Sequence, residues 1–263
     1  MQNRWMASIL TVAAALTLSP LLLAQTSARP AAARNTPDLS GMWILPRGDR
    51  LLHRFRVEDP PLQPWAQEIY KVNRQGATNV TQSGVNEKDP EHFCLPIGVP
   101  RVYTSPSPFE MVQVPGRIYM IFTSLQNPLT RYIYTDGSGH PEGYPTTFLG
   151  HSVGRWDGNT LVVDTIGMDE TTWLDSAGTP HSDALRVVER LRRVAQDKLE
   201  IDFRFEDPKA FTSPWTGKKV FELAPDWQYI PGIACEDRFK ADFAAGRFYL
   251  WEPEAPKANE GGR

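Results

Sequence analysis

The sequence predicts a mainly β protein: an antiparallel β-barrel with one short helix and long Pro-rich loops. Three observations carry this. Short runs rich in β-branched and aromatic residues recur from Phe109 to Leu223, separated by Gly, Pro, Asn and Asp turn residues. Helical periodicity is absent from that stretch. So many short strands in succession favour closure, because a sheet closed on itself leaves no unpaired edge to aggregate.

The N-terminus comes first in chain order. Arg4 is followed by an apolar run from Met6 to Ala24, broken by Thr, Ser and Pro20, and then by small residues. That order reads as a secretory signal peptide over residues 1–28. Cleavage after Ala28 places Thr26 at the minus-three position, and cleavage after Ala24 is the alternative. Export puts the mature protein in the periplasm or outside the cell. A Pro/Ala-rich spacer covers 29–37, a single domain is expected over 38–252, and 253–263 reads as a disordered tail. No later stretch of about 18 apolar residues is available to span a bilayer.

Composition narrows the partners. A net charge of −3 without any block of Lys or Arg argues against nucleic acid or an anionic membrane, and leaves a small molecule as the ligand class. The oligomeric state is not legible. Cys94 and Cys235, in an oxidising compartment, are expected to form a disulfide, with two buried thiols as the alternative.

Within the domain, Asp38–Leu45 (DLSGMWIL) reads as the first strand. Residues 60–73 (PPLQPWAQEIYKVN) carry Trp65, Ile69 and Val72 at helical spacing behind a Pro-rich entry, which predicts the one helix and its apolar face. Residues 74–92 read as polar loop. The Pro-punctuated run from Cys94 to Pro108 is expected to cross the surface in extended form, since Pro cannot serve in a central ladder. Then FEMVQV, RIYMIFTSL, RYIYTDG, HSVGRW, TLVVDT, LRVVERLRR, LEIDFRFED and KKVFEL read as strands.

Two hairpins can be read for register. Asp157-Gly158 between HSVGRW and TLVVDT signals a two-residue turn, which would set His151 opposite Asp164, Val153 opposite Val162 and Arg155 opposite Thr160. His151, Asp164 and Arg155 then share a polar face, pointing either into a barrel cavity or to solvent. In the next hairpin LEIDFRF alternates strictly, and a loop over 194–198 sets Arg192 against Glu200 and Arg190 against Asp202. The same register leaves Glu189 on the apolar face with Val187, Leu191 and Phe203, where a carboxyl must be paired, protonated or functional.

These faces supply the candidate chemistry. His151, Glu189, His181 and Asp164 are the candidate catalytic residues, an imidazole beside a carboxylate being an acid/base unit. Arg131, Tyr134, Asp136, His140, Arg155 and Trp173 are candidate substrate contacts, the arginines to steady negative charge and the rings to line a pocket. Gly150-His151-Ser152-Val153-Gly154 matches G-x-S-x-G, but a nucleophile elbow needs a helix after the serine and here a hairpin follows. Those glycines read better as places where a strand bends or takes a large neighbour. No metal site is expected, since none of the five histidines has metal-ligand spacing, and no Gly-rich phosphate loop suggests a nucleotide cofactor.

Taken together, DLSGMW, CLPIGVPR, RYIYTDGSGHP, GHSVGRWDGNTLVVDT and TTWLDSAGTPHSDALRVVER resemble an uncharacterised family of secreted bacterial β-barrel proteins, over most of residues 37–240. Gly41-Met42-Trp43 is similar to the G-x-W that opens lipocalin-like barrels. The resemblance implies a lipocalin-like barrel with a cavity and carries no catalytic residues with it. The segment around Cys235 (GIACEDRF) is less typical of the family.

The resulting expectation is an exported, cofactor-independent lyase, isomerase or hydrolase acting on a small cyclic or aromatic molecule in a barrel cavity. A non-catalytic binding or carrier barrel is the rival. An accessory role in an envelope assembly, and a serine hydrolase using Ser152, stand behind it.

Overall fold

The computed structural model describes residues 36–49, 51, 53–78, 88–93, 95–122 and 129–227. The expected signal peptide, both cysteines and the C-terminal tail lie outside the described residues.

All nine β-like runs become strands. They are β1 (Gly41–Ile44), β2 (Phe109–Val114), β3 (Arg117–Phe122), β4 (Leu129–Tyr134), β5 (His151–Asp157), β6 (Thr160–Ile166), β7 (Arg186–Ala195), β8 (Lys198–Glu206) and β9 (Trp215–Leu223). Each pairs with the next and β9 pairs back to β1, closing a barrel. Every pairing is antiparallel except β4–β5, which is parallel. Parity requires such a junction: strands that alternate direction around a ring of odd number must meet in parallel somewhere.

The parallel seam is short, joining only Ile133 to Ser152 and Tyr134 to Val153. Strand β5 therefore starts level with the end of β4 and runs on in the same direction. Gly154 makes the close approach possible: a Cβ there would lie 2.8 Å from Ile133 Cγ2 and 3.0 Å from Thr135 Cγ2. Gly154→Ala is expected to overpack the seam and cost about 1–3 kcal/mol, measurable as a lowered denaturation midpoint with unchanged slope.

Alternation along each strand sends one set of side chains inward. Trp43, Phe109, Met111, Ile118, Met120, Ile133, Leu161, Val163, Leu191, Leu199, Ile201, Phe203 and Phe221 form the buried core. The Trp43 indole N–H donates to Leu39 O at 3.0 Å, and the Arg193 guanidinium lies 5.3 Å from the centroid of that ring, within cation–π reach.

The Pro-rich run does not stay on the surface. Ile97, Val99, Val102 and Tyr103 are buried, and Arg101–Thr104 forms a short 3-10 helix. Its Tyr103 ring packs against Phe109, Phe122, Phe203 and Phe221 at centroid distances of 5.3–6.1 Å. Proline is barred from a ladder, but a segment that plugs the barrel needs no ladder, so the expectation of a surface path is corrected. Phe55 packs on Phe203 and Phe205, in space left by Gly217, where a Cβ would come within 2.4 Å of Phe55 Cβ. Among the described residues, Tyr103 and Phe55 thus join the inward rings of the strands in the interior of the barrel.

Helix α1 (Pro64–Thr78) forms where expected, but with the other face inward. Ala66, Tyr70 and Asn73 are buried, whereas Trp65, Ile69 and Val72 are 43%, 43% and 49% exposed. Polar bonds fix this orientation. Asn73 Nδ2 donates to Gly178 O at 2.9 Å and Arg54 donates to the Tyr70 hydroxyl at 3.1 Å. Trp65 reaches sideways, its indole N–H donating to Lys209 O at 2.8 Å.

Candidate active site

The β5–β6 hairpin turns one residue later than the Asp157-Gly158 signal suggests. Asp157 pairs with Thr160 around a Gly158-Asn159 loop, so His151 faces Ile166, Val153 faces Asp164 and Arg155 faces Val162. The partner shifts by two, which preserves the faces: His151, Val153, Arg155, Asp164 and Ile166 share one side. Ser152, Gly154, Leu161, Val163 and Thr165 are buried on the other. The polar face is therefore the outer face of the barrel, and the proposed cavity position of His151 is corrected.

Residues 135–150, between β4 and β5, leave and re-enter the wall at nearly the same level and lie over its outside. They lay His140 and Tyr144 on His151, leaving it 7% exposed. His140 Nδ1 is 2.9 Å from His151 Nδ1, and His140 Nε2 is 3.7 Å from Asp164 Oδ2. The Tyr134 ring stacks on His151 at 5.1 Å and 12°, and the Tyr144 ring tilts against it at 4.8 Å. Arg186 grips Asp164 through two hydrogen bonds of 2.8 Å. On the far side of Tyr134, the Arg117 guanidinium lies 5.1 Å from the ring centroid.

The electrostatics suit a neutral imidazole beside an ionised carboxylate. Burial, followed by the charge of His140, pulls the His151 pKa below its ordinary value. Partial burial pushes the Asp164 carboxyl up, but the Arg186 hydrogen bonds and charge, with His140 behind them, outweigh it and hold the group low. The two ring nitrogens that face each other, His140 Nδ1 and His151 Nδ1, share one proton between them, and where His151 Nδ1–H is the donor the second His151 nitrogen is left without a proton. In that tautomer His151 Nε2 carries the lone pair, the form a general base needs. No protein-family model and no curated protein matches this chain.

Four of the ten residues singled out from sequence, His151, Asp164, Tyr134 and His140, thus come together. Others do not. Glu189 points inward as its register required, the Arg192–Glu200, Arg190–Asp202 and Glu189–Phe203 pairings all being present. It is 0% exposed and ion-paired with Arg131. All five guanidinium N–H groups find acceptors: Nε donates to Ser152 Oγ at 3.0 Å, and Nη1 donates to the Tyr103 hydroxyl at 2.6 Å and to Glu189 Oε1 at 3.0 Å. Nη2 donates to Thr165 Oγ1 at 2.7 Å and to Glu189 Oε2. Burial works against the Arg131 charge, and the Glu189 carboxylate more than restores it. Burial drives the Tyr103 hydroxyl well up. A saturated network closed to water is a strut, so the proton-transfer role for Glu189 and the substrate role for Arg131 are corrected.

Ser152 belongs to that strut. Its Oγ accepts from Arg131 and lies 3.1 Å from Thr165 Oγ1, inside the barrel, while His151 faces out; a serine nucleophile is not assembled. His181 is also apart, its Nδ1 3.0 Å from Ser182 O and its Nε2 2.9 Å from Thr172 Oγ1. Burial lowers its pKa despite the Ser182 hydrogen bond. The unfolded chain therefore takes up a proton near the ordinary histidine value that the folded chain refuses, and stability is lost as pH falls below about 6.5. His181→Gln is expected to flatten that slope in denaturation series between pH 5 and 7.

Among the remaining candidates, Trp173 is buried beneath the Arg101 guanidinium, 5.2 Å from its ring centroid. Asp136 closes its own turn through Ser138 N at 2.9 Å and Ser138 Oγ at 2.6 Å. Arg155 is exposed, four residues along the strand from His151. Tyr144 was not legible, because a turn-rich loop carries no periodicity. Arg186 was missed as well, and the signal that could have found it is the outward parity it shares with Arg190 and Arg192, both placed by the β7–β8 register. Among the described residues no group of three or more His, Cys, Asp or Glu is placed to hold a metal ion, and no helix is long and apolar enough to cross a membrane.

Proposed function

We propose that this chain is an exported acid/base enzyme that moves a proton on a small cyclic or aromatic molecule, using His151 as the base on the outer wall of the barrel. The observation that carries the reading is the 2.9 Å contact between His140 and His151, with Asp164 beyond it. Asp164 orients His140, His140 sets the tautomer of His151, Tyr134 holds the His151 ring by stacking, and the exposed Tyr144 offers a ring face to a flat substrate. Elimination and isomerisation both begin with such an abstraction and need no cofactor.

The test is deuterium wash-in. Purified protein is incubated in heavy water with a panel of small cyclic and aromatic carbonyl compounds, and exchange at the carbon acid is followed by NMR. Exchange by the wild type that His151→Gln abolishes supports the reading; no exchange with any compound, or equal exchange in the variant, removes it. The rate should fall on the acid side with a midpoint below the ordinary histidine value, as the neutral imidazole is lost. Export is tested separately by N-terminal sequencing of protein from the extracytoplasmic fraction, with a start at Gln25 or Arg29 expected.

A further inference from the structure

The outer wall beside His151 carries aromatic surface that the proton transfer leaves unused. Strand register sets Val112 beside Tyr119 and Tyr119 beside Tyr132, in one row across β2, β3 and β4. The parallel seam pairs Ile133 with Ser152. The residues one step earlier on each strand, Tyr132 and His151, therefore stand at the same level and continue the row on the outer face. Neighbouring strands are about 4.8 Å apart, close to the repeat of linked sugar rings.

Two side chains make this row more than a stripe on a sheet. Tyr132 is 47% exposed, and Tyr119 braces it, with ring centroids 5.1 Å apart and planes at 74°. Arg117 flanks both on the Tyr134 side. Its Nη1 donates to the Tyr119 hydroxyl at 3.4 Å, its guanidinium lies 5.1 Å from the Tyr134 ring centroid, and its Nε has no hydrogen-bond partner among the described residues. The charge of Asp136 reaches it, but Asp136 turns its Oδ1 to the Ser138 N–H and hydroxyl and forms no ion pair with it. A cation without a counter-ion thus stands beside an open ring, on the wall that leads to His151.

We propose that this wall binds an acidic glycan, a chain of linked uronate rings that crosses the strands from His151 over Tyr132, with a carboxylate on Arg117. The ring at His151 is the cyclic molecule of the function proposed above, on which this site rests, and a uronate carries a C–H beside its carboxylate of the kind such a base takes. The next ring of the chain lies on Tyr132. A sugar turns C–H groups to its face and hydroxyls to its edge, which suits an aromatic face with polar groups around it. Arg117 is on the far side of Tyr134 from His151, so the carboxylate it meets belongs to this neighbouring ring and not to the reacting one. On the other flank Glu110, in the row of Ile121, accepts from sugar hydroxyls. The row runs into the candidate reaction site, which a substrate chain requires and a protein partner does not.

The experiment is calorimetric titration of the whole protein with the trimers of galacturonate and of mannuronate, their methyl esters and the two monomers. One acid trimer should bind at least about tenfold more tightly than its ester or its monomer, the worth of a hydrogen bond to a charged group. Tyr132→Ala should weaken that binding by about two- to tenfold, whereas Tyr132→Phe, which keeps the ring, should not. Arg117→Gln should remove the preference for acid over ester. Thermal melts verify that each variant is folded. No saturable binding of either trimer, equal binding of acid and ester, or undiminished binding by Tyr132→Ala overturns the proposal. So does a concentration-dependent dimer in sedimentation that Tyr132→Ala disperses, which would give the face to a second copy of this chain. Trimer binding without deuterium exchange removes His151 as the base and keeps the glycan site; exchange on small carbonyl compounds without trimer binding removes the glycan alone.

Discussion

Glu189→Ala is expected to cost about 3–5 kcal/mol of folding stability, the largest loss of any single substitution considered for this chain. The reason lies in what remains. Removing the carboxylate leaves the Arg131 guanidinium inside a dry barrel with only hydroxyl partners, Ser152, Thr165 and Tyr103, and no counter-charge. The double variant Arg131→Met with Glu189→Leu should recover most of that loss, because apolar residues of similar volume fill the space without a buried charge. Full recovery is not expected. The Tyr103 hydroxyl loses its donor, at about 1 kcal/mol, while Ser152 and Thr165 keep each other at 3.1 Å. Urea denaturation of the three proteins measures both effects. A Glu189→Ala loss below about 1 kcal/mol would mean that the pair is not the strut described.

His151→Ala is expected to lower kcat/KM by about 10²–10⁴ on any substrate found by deuterium exchange, the usual worth of a positioned base. Its fold should survive, since His151 lies outside the core and contributes mainly its stacking on Tyr134 and Tyr144, about 1 kcal/mol. His140→Gln acts through His151 and should behave differently. The amide can still orient His151, so the rate falls less, and the pH profile moves because the charge of His140 no longer weighs on His151. A rate loss in His140→Gln with an unmoved pH profile would reduce His140 to packing. Equal rates in wild type and His151→Ala would remove the proposed base.

The barrel was legible because each strand declares itself locally. LEIDFRF alternates without a break, and FEMVQV and RIYMIF are separated by a Pro-Gly turn, so strand positions needed no tertiary information. The β7–β8 register was legible for the same reason, charge pairs and the apolar face agreeing on one solution. The β5–β6 register was harder: Asp157-Gly158 and Gly158-Asn159 are both good turn pairs, and the chain uses the second. Helix α1 was placed but turned the wrong way, because a stripe of Trp65, Ile69 and Val72 has the right spacing for burial whether or not something covers it. The buried side rests on Ala66, Tyr70 and Asn73, whose partners Arg54 and Gly178 no local pattern reveals.

By itself the sequence determined which residues share a face, since a period of two in strands is a local property of the backbone. It singled out Glu189 as a carboxyl among apolar neighbours, and it put His151 and Asp164 on one face though not opposite each other. Only the tertiary structure decided which face of each strand looks inward, because that depends on how the ring closes and what fills it. Closure put Ser152 inside and His151 outside, brought Arg131 from β4 across to Glu189 on β7, and let Tyr103 occupy the space where a ligand was expected. The His140–His151–Asp164 array exists because a parallel seam leaves residues 135–150 lying on the outer wall, and no spacing in the chain encodes where an excursion of that kind comes to rest.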